Sequence, residues 1–271
     1  MNRALCIGIN YPGTSSSLEG CVNDAIGVAS FLGDMNYYPS MMLDGEATRA
    51  NMLMRISTLV ETLRSGDTGV LAYSGHGSWA PDMDGDEPDR RDEVLCPVDF
   101  EDGENLITDD ELRGIFLKLA KGATLVFISD SCHSGTVFRF SKERDAGLPW
   151  RAKFIPPSHF IKDPAKYLAM ERLYGQPSRA TSNAPLPGVV HYSGCGDNEY
   201  SADATFDGKP NGALTYYLLR AFRKIITMSG GGGSYGSAFK LLRTWLPSSS
   251  YPQTPKLNAS KELRQARLLG P

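Results

Sequence analysis

Apolar positions along the chain follow two alternating patterns. Short runs rich in β-branched and aliphatic residues at 4–9, 69–74, 123–129 and 188–193 read as strands. Between them apolar residues recur at helical spacing, as Leu18, Val22, Ile26 and Ala29, and again as Leu53, Ile56, Val60 and Leu63. Thr108-Asp109-Asp110-Glu111 is a capping box, which opens a third helix with Leu112, Ile115, Phe116 and Leu119 on its core face. Leu214, Tyr217, Leu218 and Phe222 mark a fourth helix, and Phe239, Leu242 and Trp245 a fifth. Apolar strands separated by helices predict a mostly parallel sheet covered on both faces.

Two stretches break this rhythm. Residues 77–107 are acidic and turn-rich, and 134–187 show no clear strand pattern, a long excursion of the kind that serves as a functional or flexible loop. Net charge is only −3, which gives no global reason to expect nucleic acid or an anionic membrane as partner. Its distribution is uneven: 82–111 hold 14 acids against two bases, whereas 134–187 hold nine bases against four acids. Ser229 to Ser234 read as a glycine-rich joint before the last helix. Hydrophobic content of 41% supports a packed core, and no apolar run is long enough to span a membrane. The five cysteines are odd in number and unclustered, so they read as reduced thiols. With no secretory signal in view, the expectation is a cytoplasmic protein.

In open parallel sheets reactive groups gather beyond the carboxyl ends of the strands. The run 69–73 leads into Ser74-Gly75-His76-Gly77, and the run 123–129 into Asp130-Ser131-Cys132-His133-Ser134-Gly135. A thiol becomes the reactive thiolate with the help of a base, and imidazole suits that work near neutral pH. Of the four histidines, His76 alone combines a strand end with flanking glycines, because His133 adjoins Cys132, His159 sits in a proline-rich loop and His191 is mid-strand. A His76–Cys132 pair is the candidate chemistry.

These motifs resemble those of the metacaspase group of caspase-like cysteine peptidases. The resemblance extends to Leu18-Glu19-Gly20-Cys21-Val22-Asn23-Asp24-Ala25, to 92–99, to Ser193-Gly194-Cys195-Gly196-Asp197 with Ser201-Ala202-Asp203-Ala204, and to Tyr251-Pro252-Gln253-Thr254-Pro255. It covers nearly the whole chain in family order. It implies one caspase-like αβα sandwich domain over 1–271, without a prodomain, and acting as a monomer on protein or peptide substrates. It further implies peptide-bond hydrolysis through a His76–Cys132 dyad, with the backbone N–H groups of Gly77 and Cys132 as oxyanion donors. Cys21, Asp24, Ser74 and Asp130 match the positions lining the S1 pocket. Two acids there would pair with guanidinium or ammonium, so cleavage after Arg or Lys is expected.

The chemistry needs no cofactor, but the family commonly carries a calcium site, and Asp92, Asp109 and Asp110 match its acids, with Arg139 standing where a further acid is expected. Ca²⁺ is thus an expected activator at most. Asp109 and Asp110 are equally explained as first-turn acids favoured by a helix dipole. The count Asp82, Asp84, Asp86, Glu93 is no EF-hand, because Glu87 stands where glycine is required. Cleavage after bases would make Arg144, Arg151, Lys153, Lys166, Arg172 and Arg179 candidate self-cleavage sites. Two other classes compete. A phosphatase loop needs Cys-x5-Arg, and Cys132 to Arg139 is one residue too long. A catalytically silent module binding calcium or a protein partner is the non-enzymatic alternative.

Overall fold

The structure is a computed structural model that describes residues 2–81, 91–100, 104–132, 148–157, 163, 165, 184–196 and 199–270. Its centre is a six-stranded sheet of β1 (Arg3–Gly8), β2 (Tyr38–Leu43), β3 (Thr68–Ser74), β7 (Thr124–Asp130), β9 (Val189–Ser193) and β12 (Lys256–Asn258), in the order β12-β9-β7-β3-β1-β2. All neighbours are parallel except the antiparallel pair β9–β12. The fold is the expected α/β class.

Both faces of the strands are apolar because both are covered, and side chains alternate between them. Ala4, Cys6, Val70, Ala72, Val126, Ile128, Val190 and Tyr192 face one core, completed by helices α1 (Cys21–Asp34), α4 (Ala213–Met228) and α5 (Tyr235–Leu242). Leu5, Ile7, Leu71, Tyr73, Leu125, Phe127 and Val189 face the other, under α2 (Arg49–Thr62) and α3 (Asp109–Phe116). The capping box is present as predicted: the Thr108 hydroxyl accepts from Glu111 N and the Glu111 carboxylate from Thr108 N.

Three departures from the sequence pattern have physical reasons. Ile26 is 45% exposed, because α1 starts at Cys21 and its buried stripe runs through Ala25, Val28, Ala29 and Leu32 instead. The edge strand β2 carries Pro39 and four exposed residues, the pattern a sheet edge tolerates but an apolar-run reading passes over. Within 134–187 the structure finds β8 (Trp150–Ala152), a three-residue strand paired with the distant β10 (Ala202–Phe206), itself paired to β11 (Lys209–Gly212). A third small sheet joins β4 (Gly77–Pro81), β5 (Arg91–Leu95) and β6 (Ile107–Thr108). Among the described residues no helix is long and apolar enough to cross a membrane.

Candidate active site

Strands β3 and β7 lie side by side with Ser74 opposite Asp130, so residues two steps further along each chain, His76 and Cys132, leave the sheet at the same level. Both are buried. The His76 backbone is clamped, its N–H donating to the Tyr11 hydroxyl at 3.0 Å and its carbonyl accepting from the Tyr73 hydroxyl at 2.6 Å. Its Nε2 lies 2.7 Å from the Ser16 carbonyl oxygen. A carbonyl only accepts, so this contact assigns the proton to Nε2 and leaves Nδ1 as the basic nitrogen of the neutral ring. Cys132 Sγ accepts from Ser201 N–H at 2.7 Å.

The four residues expected to line the pocket come together, and a side chain of this chain lies among them. Lys153 Nζ sits 3.0 Å from Asp24 Oδ2, 3.3 Å from Asp130 Oδ2 and 2.8 Å from Ser74 Oγ, with none of its side chain exposed. The Ser74 hydroxyl also reaches the Cys21 thiol, whose pKa burial pushes up. The Lys153 carbonyl oxygen accepts from Gly77 N–H and Cys132 N–H, each at 3.1 Å, the two donors expected to form an oxyanion hole. The segment is pinned on both sides, by Lys153 N–H to Ser201 O at 3.0 Å and Ile155 N–H to Gly77 O at 3.0 Å.

The acids are themselves held by groups the sequence reading did not single out. Asp24 accepts from Gly212 N–H at 2.9 Å, from Asn211 Nδ2 at 3.2 Å and from Ser74 Oγ at 2.7 Å. Asp130 accepts from Thr215 N–H at 2.9 Å, from Thr215 Oγ1 at 2.7 Å and from Ser201 Oγ at 2.5 Å. Gly212 has to be glycine here, since a Cβ would lie 2.1 Å from Lys153 Nζ and 2.2 Å from Asp130 Oδ2. A third acid, Asp203, faces the same ammonium from β10 while accepting from Glu19 and Gly20 N–H.

Charge balance in this buried pocket is set by competition. Burial pushes the Asp24 carboxyl up to about 7, the Lys153 ammonium opposing and the Asp130 carboxylate adding to the rise. Burial pulls the Lys153 pKa down, but Asp130 and Asp24 outweigh it and hold the ammonium charged. A buried cation with two carboxylates and a hydroxyl is a binding arrangement for an amine or guanidinium, and removal of one partner would strand the others.

The acids matched to a calcium site behave differently. Asp92 is on β5, and Asp109 and Asp110 are in the first turn of α3, whose start follows β6 beside β5. Among the described residues no three His, Cys, Asp or Glu side chains are grouped to hold a metal ion, so these three do not form such a site by themselves. Arg139, Asp82, Asp84 and Asp86 lie outside the described residues, as do the candidate cleavage positions Arg144, Lys166, Arg172 and Arg179. Arg151 is described, exposed and ion-paired to Glu19 at 3.1 Å.

Known proteins carry the same arrangement of sequence. Residues 2–141 match the model of the metacaspase, peptidase C14 domain. Metacaspase-1 of Cryptococcus neoformans var. neoformans serotype D is 34% identical over 95% of this chain and 62% of its own length. Metacaspase-1 of Saccharomyces cerevisiae is 35% identical over 95% of this chain and 66% of its own. The chain thus spans somewhat under two thirds of the length of these relatives. Among solved structures, protein GSU0716 from Geobacter sulfurreducens superposes with a TM-score of 0.72 at 30% identity, covering 99% of this chain and 98% of that one. Caspase-1 from Spodoptera frugiperda, at 10% identity and a TM-score of 0.53, covers 96% and 85% and shares the fold. By its sequence, the chain belongs to the metacaspase family.

Proposed function

We propose that the chain is a cysteine endopeptidase that cleaves after Lys or Arg and first cleaves itself after Lys153. The observation that carries this reading is Lys153, whose ammonium lies between Asp24 and Asp130 while its carbonyl oxygen takes the N–H groups of Gly77 and Cys132. That is the posture of the residue on the acyl side of a scissile bond.

The steps follow from these groups. His76 Nδ1 takes the thiol proton, and Cys132 Sγ bonds to the Lys153 carbonyl carbon. The carbonyl π pair moves onto oxygen, where the two N–H donors, already aimed at it, stabilise the charge without rearranging. Collapse breaks the bond to the Phe154 nitrogen, which receives the proton from His76 and leaves as a new amino terminus. Water, deprotonated by His76, then attacks the thioester, and the Cys132 thiolate departs. With the Lys153 segment withdrawn, the pocket admits a Lys or Arg side chain of another protein or peptide.

No step requires a cofactor. Calcium is proposed as an activator outside this chemistry: Asp92, Asp109 and Asp110 do not group as a site by themselves among the described residues, so further residues would have to complete it. A rate several-fold higher in millimolar Ca²⁺ than in chelator is expected, and equal rates would count against the ion. One protomer holds every group the steps use, which supports a monomeric enzyme, proposed to act in the cytoplasm with no nucleic acid or membrane partner.

The direct test is hydrolysis of matched fluorogenic peptides ending in Arg, Lys or Asp. Values of kcat/KM at least a hundredfold higher for Arg and Lys are expected, since an anion would face two carboxylates. Equal turnover of all three would sink the assigned specificity, and no turnover of any would favour the silent binding module.

A pH dependence follows from Asp24. With the Lys153 ammonium beside it the Asp24 carboxyl is pushed up to about 7, and in the vacated pocket, without that opposing charge, it stands higher still. Affinity for a basic side chain therefore rises as pH rises above about 7, and binding releases a proton. The KM of Lys and Arg peptides is expected to fall across this range while that of a neutral peptide stays level. A parallel change in both would assign the titration to His76 instead.

A further inference from the structure

Cys195 takes no part in the steps above, yet it stands against the reacting sulfur. Strands β7 and β9 are parallel neighbours with Ser129 opposite Ser193, and Gly194 N–H donates to Ser129 O at 3.0 Å. The two chains therefore leave the sheet together, one reaching Cys132 three residues on and the other Cys195 after two. The Cys195 thiol points to the Ser131 carbonyl at 3.9 Å, the residue next to Cys132, and the Cys132 side chain pushes the Cys195 pKa up. Cys132 is fully buried and Cys195 only partly so. All other cysteines of the chain are buried, on β1, at the start of α1 and just after β5.

We infer that Cys132 and Cys195 form a reversible disulfide when the active site meets a peroxide, a modification site that switches off the proposed peptidase and protects its nucleophile. The inference rests on the reading of Cys132 as that nucleophile. In the first step the Cys132 thiolate attacks a peroxide oxygen. An S–O bond forms, the O–O bond breaks, sulfur is oxidised to sulfenic acid and the peroxide is reduced to water or an alcohol. In the second, Cys195 gives up its proton and its sulfur attacks that of Cys132. The S–S bond forms, the S–O bond breaks, and hydroxide leaves with the proton as water. A dithiol reverses the sequence by exchange. The partner thiol competes with further oxidation because it is held beside the nucleophile, whereas a second peroxide has to diffuse in.

The experiment treats purified protein with hydrogen peroxide until Cys132 no longer labels with iodoacetamide, in wild type and Cys195→Ser. It reads peptide hydrolysis before and after dithiothreitol, and maps non-reduced peptides by mass. Wild type is expected to yield a Cys132–Cys195 linked peptide, to lose at least tenfold in activity and to recover most of it on reduction. Cys195→Ser is expected to lose activity without recovery, its Cys132 carrying two or three oxygens. Cys132 oxidised in wild type with no linked peptide would overturn the inference, as would equal recovery of the two proteins. Absence of hydrolysis in untreated wild type would instead count against the peptidase reading, while the linked peptide would still report on the pair.

Discussion

Cys132→Ala protein is expected to stay in one piece under conditions where wild type separates after Lys153, with Phe154 at the new amino terminus. Hydrolysis of added Lys or Arg peptides should fall by a factor of about 10³ or more, the usual consequence of removing a nucleophile. The substitution removes only the sulfur. The Cys132 and Gly77 N–H groups that hold the Lys153 carbonyl are backbone, and the ammonium pocket is elsewhere, so the segment should remain docked. Thermal stability should accordingly be close to that of wild type before cleavage. Lys153→Met complements the test: this variant should resist cutting at 153 and, with its backbone still held by the Gly77 and Cys132 N–H groups, should hydrolyse added peptides far more slowly than cleaved wild type. Fragmentation of Cys132→Ala at the same bond and rate as wild type would assign the cut to another protease.

Asp24→Asn is expected to lower kcat/KM for Lys and Arg peptides by roughly 10²-fold, about 3 kcal/mol, and to change that of a neutral peptide only a few-fold. The carboxylate contacts the Lys153 ammonium at 3.0 Å and both groups are buried, so its charge is weakly screened there. An amide in its place also faces the wrong way chemically, because Asp24 accepts four hydrogen bonds, from Ser74, Lys153, Asn211 and Gly212, and an amide nitrogen accepts none. Kinetics on the three peptides separate the outcomes. An equal loss on charged and neutral peptides would mean that Asp24 shapes the pocket rather than selects for charge. Asp130→Asn would report less cleanly, since Asp130 also anchors Thr215 at the start of α4 and Ser201 ahead of β10.

Much of this was legible before any coordinates. The four apolar runs are central strands because a covered parallel sheet needs both faces apolar, a local property of each segment. His76 and Cys132 were identifiable because each follows such a run by a few residues, and parallel neighbours bring their carboxyl ends to one edge. Thr108 was legible as a cap because the box is written within four residues. The strands β2, β8 and β12 were not, since short edge strands owe their conformation to a partner rather than to their own pattern.

By itself, then, the amino-acid sequence determined the four central strands of the sheet and the dyad candidates, and the family resemblance added the pocket acids Asp24 and Asp130. Each of these is encoded within one short segment or in a strand end. Only the tertiary structure decided what fills the pocket and what holds it. Lys153 was one of nine bases in a long excursion, and nothing local distinguishes it from Arg151, which is ion-paired to Glu19 at the surface two residues away. Thr215 meets Asp130 across 85 residues of sequence and Gly212 meets Asp24 across 188. Contacts of that range carry no periodicity. They exist because β10, β11 and α4 fold back over the ends of β3 and β7, where burial turns an ordinary lysine and two ordinary aspartates into one charge-matched site.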